Sequence, residues 1–110
     1  MKHNLETLAK LADTIASREG TAPEISYTSK LLAAGPEKCA KKFGEEAFEL
    51  ALASVTGDHA HKANEAADVF FHLLVLLQST GVTLAEVMAV LQVREGTSGH
   101  DEKASRRGCI

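Results

Sequence analysis

Two acidic pairs carry most of the chemistry this chain can offer: Glu46 with Glu49, and Glu65 with Asp68. Within each pair the carboxylates are three residues apart, so on a helix they leave from one face. Glu45 stands beside the first pair. Gly57 and Asp58 lie between the pairs as a turn signal. Glu49 and Glu65 are equally far from Gly57 along the chain, and so are Glu46 and Asp68. An antiparallel helical hairpin would therefore set Glu49 level with Glu65 and Glu46 level with Asp68. Carboxylates gathered in this way repel strongly unless something cationic sits between them. Oxygen donors with neither Cys nor His among them select a hard divalent ion, Mg²⁺ first and Mn²⁺ second.

The plainer alternative is a solvated acidic face, in which Lys41 with Glu45 and Lys42 with Glu46 form ordinary helical ion pairs. The second acidic pair argues against it. Asp68 sits among Ala66, Ala67, Val69, Phe70 and Phe71, with no Lys or Arg three or four residues away. A carboxylate there is costly without a partner.

These residues need helices to position them. Asn4 is the expected cap of a first helix running to about Glu19, with Leu5, Leu8, Leu11, Ala12 and Ile15 as its apolar stripe and Gly20 as its stop. The segment from Gly20 to Ser26 reads as loop. Thr28 is the expected cap of a short helix that Gly35 and Pro36 close, with Pro36 also fitted to open the next. That second long helix runs to about Val55, burying Cys39 or Ala40, Phe43, Ala47, Leu50 and Ser54. Gly44 lies inside it at a cost of about 1 kcal/mol relative to Ala, which suggests close approach by a neighbouring helix or a ligand. The third long helix runs from its cap Asp58 to about Thr80 and stops at Gly81. From Val69 to Leu77 it is apolar nearly all round, more than a small bundle buries alone, so a subunit interface is expected there. Thr83 to Glu86 reads as a capping box opening a last helix with Leu84, Val87, Met88 and Leu91 on its face. No convincing β pattern occurs. The expected fold is all-α, a four-helix bundle spanning residues 1–95, followed by a polar tail over 96–110.

Composition narrows the classes. At 110 residues the chain is one domain. A formal charge of −3 argues against a general nucleic-acid surface. Cys39 and Cys109 form no motif, so neither a zinc site nor a disulfide framework is expected. The charged start is unlike a signal peptide, and no apolar run is long enough to span a bilayer; a cytoplasmic protein is the expectation. His59 and His61 beside the turn read as surface residues, His72 as a hydrogen-bonded core or interface residue, and His3 and His100 as lying in the ends of the chain. Several basic residues, Lys30, Lys42, Lys103 and Arg106 among them, are candidates for gripping phosphate oxygens.

The stretches KKFGEEAFE (41–49) and EAADVFFHLLVLL (65–77) resemble the EExxE and ExxD signature of the MazG-like all-α nucleotide pyrophosphatases. SYTSKLLAAG (26–35) and SGHDEKASR (98–106) make the chain similar to the phosphoribosyl-ATP pyrophosphatase family within that superfamily. The resemblance implies Mg²⁺-dependent hydrolysis of phosphoribosyl-ATP to phosphoribosyl-AMP and pyrophosphate, the second step of histidine biosynthesis, by a homodimer or higher oligomer. By matching positions it implies Glu46, Glu49, Glu65 and Asp68 as metal ligands. Glu45 would be an added ligand or would orient water, and Glu45 or Glu49 would be the base. The substrate would be held by Lys42, Lys103 and Arg106, with Lys30 as a further phosphate contact and Tyr27 of the SYT segment at the phosphoribosyl end. Cys39, Phe43 and Phe71 depart from the family pattern without touching the carboxylates. Two other expectations stand beside this one: a housekeeping (d)NTP pyrophosphatase, and a non-catalytic helical dimerisation module with a cation-buffering acidic patch.

Overall fold

The computed structural model describes residues 3–95, and every regular element among them is helical. In chain order these are α1 (Glu6–Arg18), a 3₁₀ turn (Pro23–Ile25), α2 (Tyr27–Ala34), α3 (Pro36–Thr56), α4 (His59–Thr80) and α5 (Leu84–Arg94). The tail expected to begin at residue 96 lies outside the described residues.

The long elements start and stop where local chemistry requires. Pro36 opens α3, where its missing N–H costs nothing. The Asp58 side chain accepts a hydrogen bond from the His61 backbone N–H at 2.8 Å and caps α4. Gly81, at φ 82°, ends α4 in the left-handed region, with its N–H returning to Gln78 and Leu77. Thr83 and Glu86 form the expected capping box on α5.

Two caps differ from expectation. Asn4 has φ 52° and lends α1 only its backbone carbonyl, to Thr7 N–H at 3.1 Å, while Leu5 occupies the cap position without a side-chain bond. For α2 the cap is Ser26, not Thr28. Its hydroxyl accepts from the Ser29 N–H at 3.0 Å, because the chain turns helical two residues earlier than the cluster of hydroxyls suggests.

The core is compact and lies between α1, α2, α3 and α4. Ile15, Leu31, Cys39, Leu74 and Val75 are buried together, with Leu8, Leu11, Ala12, Leu32, Phe71, Leu76 and Leu84 packed around them. The Cys39 thiol donates to the Leu31 carbonyl at 3.3 Å, tying α2 to α3. On α3 the buried small residue is Ala53 and not Ser54, whose hydroxyl faces outward and bonds back to Ala51 O. Leu5, placed in the α1 stripe from its spacing, is exposed because it precedes the first turn.

The most extensive packing is between α3 and α4, which form the hairpin anticipated around Gly57. This turn is crowded: a methyl group at Gly57 would lie 2.6 Å from His61 Cδ2 and 3.0 Å from the Ala53 carbonyl oxygen. Gly44 shows the opposite. A methyl group there would touch nothing within 4 Å, so no approach among the described residues explains it. The apolar stretch on α4 is covered mainly by the chain's own helices, with Phe70 still half exposed. Larger uncovered apolar residues are Phe48, Leu52 and Val55 on α3, and Met88, Val90, Leu91 and Val93 on α5. No single helix among the described residues is long and apolar enough to cross a membrane.

Candidate functional site

Three of the four expected cation ligands meet in the hairpin. Glu46 and Glu49 from α3 and Glu65 from α4 each bring a carboxylate oxygen within 4.8 Å of the others. Opposite ligands of one hard divalent ion lie roughly 4–5 Å apart, so these oxygens fit around a single cation. Asp68 stands outside that set of three. It is nonetheless near enough for its charge to act on Glu46.

Two observations show a carboxylate cluster short of positive charge. Burial first, then repulsion from Glu49, Asp68 and Glu65, push the Glu46 carboxyl above its usual range, and Lys42 offsets this only in part. In addition, Glu65 Oε2 is buried with no hydrogen-bond partner. The other oxygen, Oε1, lies 3.9 Å from the Nε2 of exposed His61. A buried carboxylate oxygen left bare costs about 1–3 kcal/mol or more. A cation among Glu46, Glu49 and Glu65 would relieve both.

Glu45 lies beside the cluster and outside it. Its Oε1 is 3.5 Å from Lys42 Nζ, which replaces both pairings expected from spacing, Lys41 with Glu45 and Lys42 with Glu46. The Tyr27 hydroxyl and then Glu45 hold the Lys42 ammonium above its ordinary pKa. Tyr27, at the start of α2, is half exposed, with its ring 6.2 Å from Phe71 and 6.0 Å from His72. The hydroxyls of Thr21, Ser26 and Ser29 bond one another beneath it, at 2.6 and 2.9 Å, and fix the first turn of α2.

His72 is buried, at 6% exposure, and stands edge-on to Phe71 at 5.0 Å. The expectation of a hydrogen-bonded core histidine is only half met, because Nδ1 has no partner. Burial and then the Lys42 charge hold its pKa below the usual range, against the pull of Asp68 and Glu45.

Lys30 joins Tyr27 and Lys42 in lining a cavity of about 230 Å³. Lys38, which is not among the sequence-based candidates, lines it too. The signal for it was present: Lys38 and Lys42 are four apart and share a helix face. Lys103 and Arg106 lie outside the described residues.

Comparison with known proteins adds an independent line. Residues 8–95 match the family described as phosphoribosyl-ATP pyrophosphohydrolase. A phosphoribosyl-ATP pyrophosphatase of Cereibacter sphaeroides is 60% identical over 102 residues, covering 93% of this chain and 99% of that protein. Its namesake in Dinoroseobacter shibae is 58% identical over 102 residues, covering 93% and 100%. That of Paracoccus denitrificans is 57% identical over 100 residues, covering 91% and 93%.

Proposed function

Because the chain belongs to the phosphoribosyl-ATP pyrophosphohydrolase family, we propose that it hydrolyses phosphoribosyl-ATP to phosphoribosyl-AMP and pyrophosphate, the second step of histidine biosynthesis. The observation within the structure that carries this reading is the convergence of Glu46, Glu49 and Glu65, with one oxygen of Glu65 buried and unpartnered. An acidic face that merely stays solvated has no reason to bury such an oxygen.

We assign Glu46, Glu49, Glu65 and Asp68 as the groups that hold Mg²⁺, with Mn²⁺ as a substitute. When bound, such an ion supplies charge neutralisation of the triphosphate and acidification of water. The carboxylate of Glu45 or of Glu49 orients the water that attacks between the α and β phosphates and accepts its proton. Glu45 is suited to this because it is half exposed and is steered by Lys42 at 3.5 Å. Lys42 holds oxygens of the triphosphate, joined by Lys103 and Arg106, and Lys30 holds a further phosphate. Tyr27 offers its ring to the phosphoribosyl side of the nucleotide.

The protein acts in the cytoplasm as a homodimer or higher oligomer. Support for the assembly comes from the apolar side chains of α3 and α5 that the described residues leave uncovered.

Pyrophosphate release from phosphoribosyl-ATP tests the whole reading, measured with Mg²⁺, again with EDTA, and beside a panel of ordinary nucleoside triphosphates. Mg²⁺-dependent release from phosphoribosyl-ATP alone is expected. Faster release from dCTP or dUTP would favour a housekeeping role for the same carboxylates, and release from nothing would leave a non-catalytic module.

A further inference from the structure

The cavity beside the carboxylate cluster has an unusual lining. Lys30 of α2 and Lys38 and Lys42 of α3 meet there with Tyr27, Leu31 and Ala34, and no carboxylate among the described residues lines it. Lys42 is committed to Glu45. Lys30 and Lys38 have no carboxylate within 4.0 Å among the described residues. Ammonium groups gathered round one cavity repel each other, and an anion relieves the repulsion.

Position decides which anion. Lys38 lies two turns of α3 before Glu46, roughly 12 Å along the helix axis. In the reaction proposed above, the bond that breaks lies between the α and β phosphates, so the triphosphate occupies the carboxylate end. An anion between Lys30 and Lys38 is then a second, separate one. The substrate carries such a group: the 5′-phosphate of its ribosyl arm, attached to the far side of the base. Tyr27 lines the same cavity, lies against Phe71 and His72 of α4, and offers a flat surface to the base or ribose.

We propose that Lys38, together with Lys30, binds the ribosyl 5′-phosphate and thereby distinguishes phosphoribosyl-ATP from ATP. The inference rests on the reaction assigned above and adds its specificity element. A phosphate held by two charge-assisted bonds is a feature ATP cannot supply at that distance from its triphosphate, so discrimination follows from a contact left unmade.

The test uses the full chain and two readouts. Lys38→Ala should raise the KM for phosphoribosyl-ATP about tenfold, with kcat held within about twofold, and Lys38→Arg should restore most of the loss. By calorimetry with Mg²⁺, Lys38→Ala and Lys30→Ala should each weaken ribose 5-phosphate binding by a similar factor. Binding of α,β-methylene-ATP should be unchanged. Both lysines are exposed, so the variants should fold as the parent does, which circular dichroism checks. An unchanged KM in Lys38→Ala, or a wild-type protein that does not bind ribose 5-phosphate, overturns the proposal. So does an equal loss for α,β-methylene-ATP, which would place the triphosphate on these lysines. Absence of phosphoribosyl-ATP turnover in the wild type would instead remove the reaction, and ribose 5-phosphate binding would still decide the pocket.

Discussion

The α3–α4 hairpin and helix α5 depart from the ordinary rules of burial in opposite directions. The hairpin encloses polar atoms that have no partner: an oxygen of Glu65 and a nitrogen of His72 are both buried and unbonded. Helix α5 shows the reverse, with Met88, Val90, Leu91 and Val93 exposed and no residue fully buried. Each mismatch marks something the described residues do not provide. A buried, unpartnered carboxylate oxygen calls for charge, and uncovered aliphatic side chains call for another apolar surface. Both places are capped as local chemistry requires, so neither mismatch follows from a badly terminated helix.

The comparison can be broken most sharply at Glu49. Glu49→Ala should lower turnover by on the order of 10³-fold, while circular dichroism shows an unchanged helical bundle. Retained activity would leave the hairpin with no chemical role. On the other side, Leu91→Asp places a charge on the uncovered face of α5. It should halve the mass seen by light scattering if that face is where copies meet, and an unchanged mass would separate α5 from assembly.

Smaller effects refine the picture. Saturating Mg²⁺ should raise the melting temperature over that in EDTA by roughly 10–20 °C, as expected when a ligand at about a hundred times its dissociation constant binds only the folded state. Glu49→Ala should remove most of that gain. His72→Phe should add about 1 kcal/mol, because an apolar ring of similar shape removes a buried nitrogen that lacks a partner. It should also flatten the pH dependence. The His72 pKa is held below the ordinary 6.5 by burial and then by Lys42. Its contribution to stability is therefore full above 6.5 and is lost as pH falls toward the folded-state value. Thermal melts of the two proteins between pH 7.5 and pH 5 read this directly, since only the parent should show that loss.

Much of this arrangement was legible in the sequence because its signals are local or symmetric. Gly57 and Asp58 mark the turn, and the equal spacing of the acidic pairs about it points to Glu49 beside Glu65 and Glu46 beside Asp68; Glu46, Glu49 and Glu65 converge, while Asp68 stands outside them. Gly81, Pro36 and the Thr83–Glu86 box act within four residues and fell where expected. Signals with near-equal competitors did not resolve. Ser26, Thr28 and Ser29 all offer hydroxyls for the start of α2, and choosing among them depends on the loop that delivers the chain. Asn4 could bond as a cap or adopt a left-handed backbone, and Asn is suited to both. Ala53 and Ser54 are neighbours on α3, so a small error in helix phase exchanges them. Gly44 was read as marking a close approach, yet composition alone cannot distinguish crowding from open space. Lys38 shares a helix face with Lys42, but that spacing gains a meaning only once α2 brings Lys30 to the same cavity.

The tight turn at Gly57 also bears on how this gene can vary. One residue inserted between α3 and α4 would rotate Glu65 and Asp68 by roughly 100° about the α4 axis and slide them about 1.5 Å along it, carrying them away from Glu46 and Glu49. The connection from Glu19 to Ser26 sets no such phase and should absorb changes in length. A survey of random single-codon insertions should find active clones in the first linker and none at the second, although neither linker supplies a residue to the carboxylate cluster.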